Sequence, residues 1–135
     1  MKRWTRAIAV GACLLISGGA GAQAGTGHKD RANDILTGLM MAASDVEMCG
    51  ESVLASRIHQ AAAELIAFNA APTEAAPSLR KWQRRVTEYR ELQQDLMGIR
   101  GKPTSTSQRQ FCESSVQQAH TRMHRSDDYI MRSRR

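Results

Sequence analysis

The chain has 135 residues, 19 basic and 13 acidic, for a formal net charge of +6; 41% of its residues are hydrophobic and only 4% aromatic. That length allows a single domain. The basic excess is the one compositional hint of a nucleic-acid partner, and it weakens once the first residues are set aside.

Met1 to Arg6 carries Lys2, Arg3 and Arg6, Ala7 to Ile16 is almost wholly apolar, and Ser17 to Ala24 turns small and flexible. A charged start, a short apolar run and an Ala20-Gly21-Ala22 pattern read as a secretory signal peptide over residues 1–22. Cleavage is expected after Ala22, with Ala24 the second choice because Ala22-Gln23-Ala24 has the same form. An apolar run of about ten residues is too short for a membrane span, which needs about 20. Val10-Gly11-Ala12-Cys13 loosely resembles a lipobox, but Leu14-Leu15-Ile16 continue the apolar run past Cys13, which disfavours lipidation there. Three of the basic residues lie in this segment, so the rest of the chain carries 16 basic against 13 acidic groups, net +3. The expectation is a periplasmic or secreted protein with no nucleic-acid partner.

Residues 23–30 read as a flexible start, 31–131 as a helical domain and 132–135 as a basic tail. The first helix is expected from about Arg31 to Cys49, capped by Asp30 and stopped by Gly50, with Ile35, Leu36, Leu39, Met40, Ala43 and Val46 at helical spacing. The second runs from about Ser52 to Asn69 on a stripe of Leu54, Ile58, Ala61, Leu65 and Phe68. Pro72 and Pro77 bracket a linker, and the third helix starts near Ser78 with Leu79, Trp82, Val86, Tyr89, Gln93 and Leu96 inward, Leu92 beside them, and a charged opposite face. Gly98, Gly101 and Pro103 stop it. Thr104 to Ser107 supplies N-cap candidates, Ser107 with Gln110 has capping-box spacing, and the fourth helix follows to about Met131, with Cys112, Val116, Ala119, Met123 and Ile130 inward.

Four amphipathic helices with short connections predict an all-α fold, a small up-down-up-down four-helix bundle. Outside the signal only Cys49 and Cys112 remain, and an even pair in an oxidising compartment reads as a disulfide. In this topology the end of helix one and the start of helix four share one end of the bundle, so the bridge is allowed. It closes a loop of 63 residues, worth roughly 4 kcal/mol by the chain-entropy model. A small domain with few large aromatics gains from such a staple.

Few residues suggest chemistry. His120 and His124 are four apart on the fourth helix and Asp128 extends the row, a spacing that can hold zinc or copper. A polar outer face is the plainer reading of the same row, since no Glu follows His120 in the zincin pattern and no fixed third ligand stands out. The six methionines outside the signal invite a copper(I) reading, but they fall along the apolar stripes. His28 and His59 are isolated in sequence. Residues 23–77 carry net −4 and residues 78–135 net +7, an asymmetry that fits an acidic partner or simply a solvated face with a basic tail. No nucleophilic triad, reactive-cysteine context, phosphate loop or haem-attachment motif is present, and the chain reads as no enzyme.

Signal, four helices and a bridge from Cys49 to Cys112 resemble the layout of small type II secretion pilotins, and small periplasmic acid-stress chaperones share helices and one bridge. The resemblance carries over no binding residues; the first expectation of function is an envelope assembly or chaperone-like factor that holds a partner helix or unfolded segment in a groove between helices lined by Leu, Met and Phe. Pilotins are typically lipoproteins, from which Cys13 departs. The alternative expectation is a divalent-metal protein built on His120, His124 and Asp128.

Overall fold

The computed structural model describes residues 27–135. The expected signal over 1–22, its cleavage at Ala22 or Ala24, and Cys13 lie outside the described residues. Four helices follow in chain order: α1 (Gly27–Met48), α2 (Ser52–Asn69), α3 (Pro72–Met97) and α4 (Thr106–Ser133). Among the described residues no strand occurs. Residues 32–135 form one compact unit.

The order is up-down-up-down, and cross-helix contacts fix it. Along α1 and α3, Leu36 meets Trp82, Ser44 meets Val86 and Glu47 meets Arg90, so these two run parallel. Only residues 49–51 join α1 to α2 and only 70–71 join α2 to α3, and Glu47 reaches His59 while His59 lies against Trp82, so α2 packs beside both and runs antiparallel to them. On α4, Cys112 is bonded to Cys49 while Tyr129 reaches Asn69, so α4 runs with α2. The core joins Ile35, Leu39, Ala43 and Val46 of α1 to Leu54, Ile58 and Leu65 of α2, with Trp82 and Val86 from α3 and Ala119 and Ile130 from α4. Burying a side chain such as Leu39, Ile58 or Leu65 contributes about 1.5–3 kcal/mol.

Several boundaries differ from the sequence expectation. Helix α1 begins at Gly27, inside the stretch expected to be flexible, and Asp30 sits in its first turn rather than capping it. An acidic group there still complements the helix dipole. The expected 73–77 linker is helix: Pro72 occupies the first helical position after an extended Ala71, and Pro77 lies within the helix. Pro77 is its sixth residue, so it forfeits only one backbone bond, to the carbonyl of exposed Thr73. Of the N-cap candidates Thr104 to Ser107, Ser105 caps helix α4, two residues before the Ser107–Gln110 pair. Ser105 accepts from the Gln108 backbone N–H at 3.2 Å, and the Gln108 amide oxygen accepts from the Thr104 N–H at 2.7 Å. Gln108 Nε2 also donates to the Met97 carbonyl at 3.2 Å, tying the start of α4 to the end of α3. The expected tail is partly helical, since α4 continues to Ser133.

The inner face assigned to α3 also needs correction. Trp82 and Val86 are buried, but Leu92 is 55% and Leu96 72% exposed. Glu47, in the last turn of α1, is level with Arg90, so the turns of α3 beyond it run past the end of α1; Met97 there packs against the cluster around Met48 and Ile99, while Leu92 and Leu96 stay uncovered.

Candidate functional site

One end of the bundle is covalently closed. The Cys49 and Cys112 sulfurs are bonded, with Cα atoms 5.8 Å apart. Gly50 turns the chain out of α1 with φ 84°, while its N–H and that of Glu51 return to the carbonyls of Glu47 (3.0 Å) and Val46 (2.8 Å). This is the Schellman closure, for which glycine is the usual residue. The Gly101 N–H donates to the Met48 carbonyl at 2.8 Å, and a Cβ on Gly50 would collide with the Gly101 carbonyl oxygen. Met48, Cys49, Ile99 and Cys112 form a second, smaller apolar cluster here, with Met97 and Phe111 against it.

A polar hub sits just inside that end. The Glu47 carboxylate accepts from His59 Nε2 at 2.8 Å and from Arg90 Nη1 at 2.9 Å, joining α1, α2 and α3. Burial pushes this carboxyl up, but the hydrogen bonds and positive charge of His59 and Arg90 together hold it below its usual value. His59, unassigned from sequence, is therefore a cross-helix partner; its edge-on contact with Trp82, 5.1 Å between centroids, helps to place it. Asp45, also on α1, differs. Burial raises its carboxyl to about 6 against the weaker pull of the Arg122 guanidinium, and its Oδ1 is buried with no hydrogen-bond partner. Nothing in the sequence distinguishes these two acids, which stand two residues apart.

At the opposite end no disulfide occurs among the described residues, and a groove opens there between the C-terminal halves of α2 and α4. Asn69 ends α2, with its Nδ2 donating to the Leu65 carbonyl at 3.1 Å and its Oδ1 accepting from the Tyr129 hydroxyl at 3.1 Å. Tyr129 stands edge-on to Phe68, 6.3 Å between centroids, which fixes the Phe68 ring. The groove has a volume of about 730 Å³; Phe68, Ile130 and Met131 supply apolar lining and Glu64 and Asp127 stand on opposite walls. Met131 is 61% exposed. Over the Phe68 ring lies the guanidinium of Arg134, its carbon 5.8 Å from the centroid.

The residues considered for metal are not gathered in this way. His120 and His124 are exposed, one turn apart, and Asp128 is engaged by Arg132 at 3.0 Å. Among the described residues, no group of three or more His, Cys, Asp or Glu side chains is placed to hold a metal ion. Of the methionines, Met48 is fully buried beside the disulfide and Met131 lines the groove, on opposite ends of the bundle. Among the described residues, no helix is long and apolar enough to cross a membrane. The sequence leads to the expectation of a groove lined by Leu, Met and Phe but does not place it, because its parts come from helices about 60 residues apart; Phe68 ending one apolar stripe and Ile130-Met131 ending another mark where it lies. Comparison with protein-family models, curated proteins and solved structures finds no match, so the pilotin-like layout rests on helix order and the bridge alone.

Proposed function

We propose that this chain is a small exported protein of the cell envelope that acts by holding a partner protein, without catalysis. The reading is carried by one observation, the open groove between α2 and α4. It offers Phe68 and Met131 to an incoming chain at an end of the bundle whose core is already filled by Leu65, Ile66, Tyr129 and Ile130. A partner helix or extended segment that covers such a floor gains from apolar burial, at about 25 cal/mol per Å². The disulfide is in keeping with an oxidising compartment, and with the signal read in residues 1–22.

The test is site-specific photo-cross-linking in the producing cell. A photoreactive residue at Ala67, exposed and lining the groove, is compared with one at Gln83, exposed on α3. A discrete protein adduct from position 67 and none from 83 is the expected result. No adduct, or the same pattern from both positions, would overturn the reading. Fractionation and N-terminal sequencing check export, with a processed start after Ala22 or Ala24 expected.

A further inference from the structure

The groove already holds a cation of this chain. Arg134 follows the last turn of α4, and its backbone N–H is bonded to the Ile130 carbonyl at 3.2 Å, so its side chain is launched beside the groove. The guanidinium comes to rest over the face of Phe68. That face bears the negative lobe of the ring quadrupole, which attracts a cation. The ring cannot turn away easily, because Tyr129 abuts it edge-on and is itself hydrogen-bonded to Asn69.

The walls add negative charge. Glu64 stands one turn before Phe68 on α2, and Asp127 one turn before Met131 on α4. Both are exposed, and neither takes part in an ion pair among the described residues. Arg134 makes no ion pair with either; Glu64 takes a long hydrogen bond from the neutral Gln60 amide at 3.5 Å, and neither carboxylate is neutralised by a cation among the described residues. Two carboxylates about an apolar floor suit a charged group on an aliphatic stem, whose methylenes cover Met131 while its head stays near Glu64 or Asp127.

We propose that the groove binds a basic, partly apolar segment of a partner protein, whose arginine or lysine displaces Arg134 from Phe68 and lies between Glu64 and Asp127. This rests on the binding reading above and adds to it the partner's chemistry and a built-in competitor. Arg134 stands where the partner's cation goes, so it weakens binding rather than supporting it.

The experiment uses the naturally processed, oxidised protein and fluorescence anisotropy with two labelled twelve-residue amphipathic peptides, one of leucine and arginine, the other of leucine and glutamate. The arginine peptide is expected to bind at least tenfold more tightly than the glutamate peptide. Arg134→Ala should tighten its binding about threefold, the size of an exposed cation–π contact. Glu64→Gln with Asp127→Asn should weaken it about tenfold, and Phe68→Leu, which keeps bulk but removes the ring, about threefold. Glu88→Gln with Glu91→Gln removes the same charge from exposed α3 positions and should leave affinity unchanged. Circular dichroism establishes that each variant is folded. The proposal is overturned if the arginine peptide does not bind, if Arg134→Ala weakens binding, or if the α3 pair matters as much as the groove pair. The two tests separate. Absent peptide binding overturns this chemistry whatever position 67 captures, and absent cross-linking overturns the binding reading even where the peptide binds.

Discussion

The two ends of this bundle are held together by different means. At one end a disulfide, a backbone bond from Gly101 to Met48 and a buried cluster around Ile99 join the end of α1, the loop after α3 and the start of α4. At the other, where no disulfide occurs among the described residues, α2 and α4 share the buried core of Leu65, Ile66 and Ile130, and Tyr129 packs edge-on against Phe68 and donates to Asn69. The contrast shows how a small domain keeps a groove open. With the start of α4 fixed to the end of α1, the bundle keeps its order while Phe68 and Met131 line an open groove at the far end.

The largest expected effect breaks the comparison at its strong end. Replacing both Cys49 and Cys112 by alanine removes a 63-residue cross-link and should cost about 4 kcal/mol in denaturant unfolding. A loss below about 1 kcal/mol would mean that the apolar cluster holds this end without the bond. Next comes Gly50→Ala, for which the left-handed conformation and the collision with the Gly101 carbonyl act together. A loss of about 2 kcal/mol or more is expected, with the disulfide still formed by mass spectrometry.

Asp45 gives a smaller effect of opposite sign. Its folded-state carboxyl is raised to about 6 from 3.8, so the fold favours the protonated form. The stability this group contributes is therefore complete below about pH 4 and declines as pH rises through about 6. Asp45→Asn should raise stability near pH 7.5 by roughly 1 kcal/mol and flatten the stability curve between those limits. Glu47 acts in the other direction: its lowered value means that its contribution is present above the ordinary carboxylate range and is lost at lower pH. An unchanged pH profile in Asp45→Asn would show that the buried Oδ1 finds water. The smallest effect lies at the open end. Tyr129→Phe removes the donor to Asn69 but keeps the ring, and Asn69 is exposed enough to bond water instead. A cost of about 0.5–1 kcal/mol is expected; a cost matching Gly50→Ala would erase the distinction between the ends.

Much of this was legible from residue order. The periodic stripes gave the four helices of the described residues, the span of α2 from Ser52 to Asn69 among them, because an amphipathic face has to find a core. Cys49 and Cys112 could be paired because helix parity places them at one end. The misplaced pieces were local. Pro77 looked like a breaker but costs one bond near a helix start, and among the cap candidates Thr104 to Ser107 it is Ser105 that caps, with Gln108 reaching both Thr104 and Met97.

What only the tertiary structure decided is which polar groups and which apolar ends meet. The sequence by itself determined helix number, direction and the cross-link, since these follow from spacing along one chain. It could not determine that Glu47 finds His59 and Arg90 while Asp45 is left with an unpaired oxygen. Nor could it show that Phe68 and Met131, each the fading end of a stripe, would face a common groove beneath Arg134. Periodicity reports which face of a helix is apolar; it carries no information on how far along its length that face is covered, and that depends on where the neighbouring helices end.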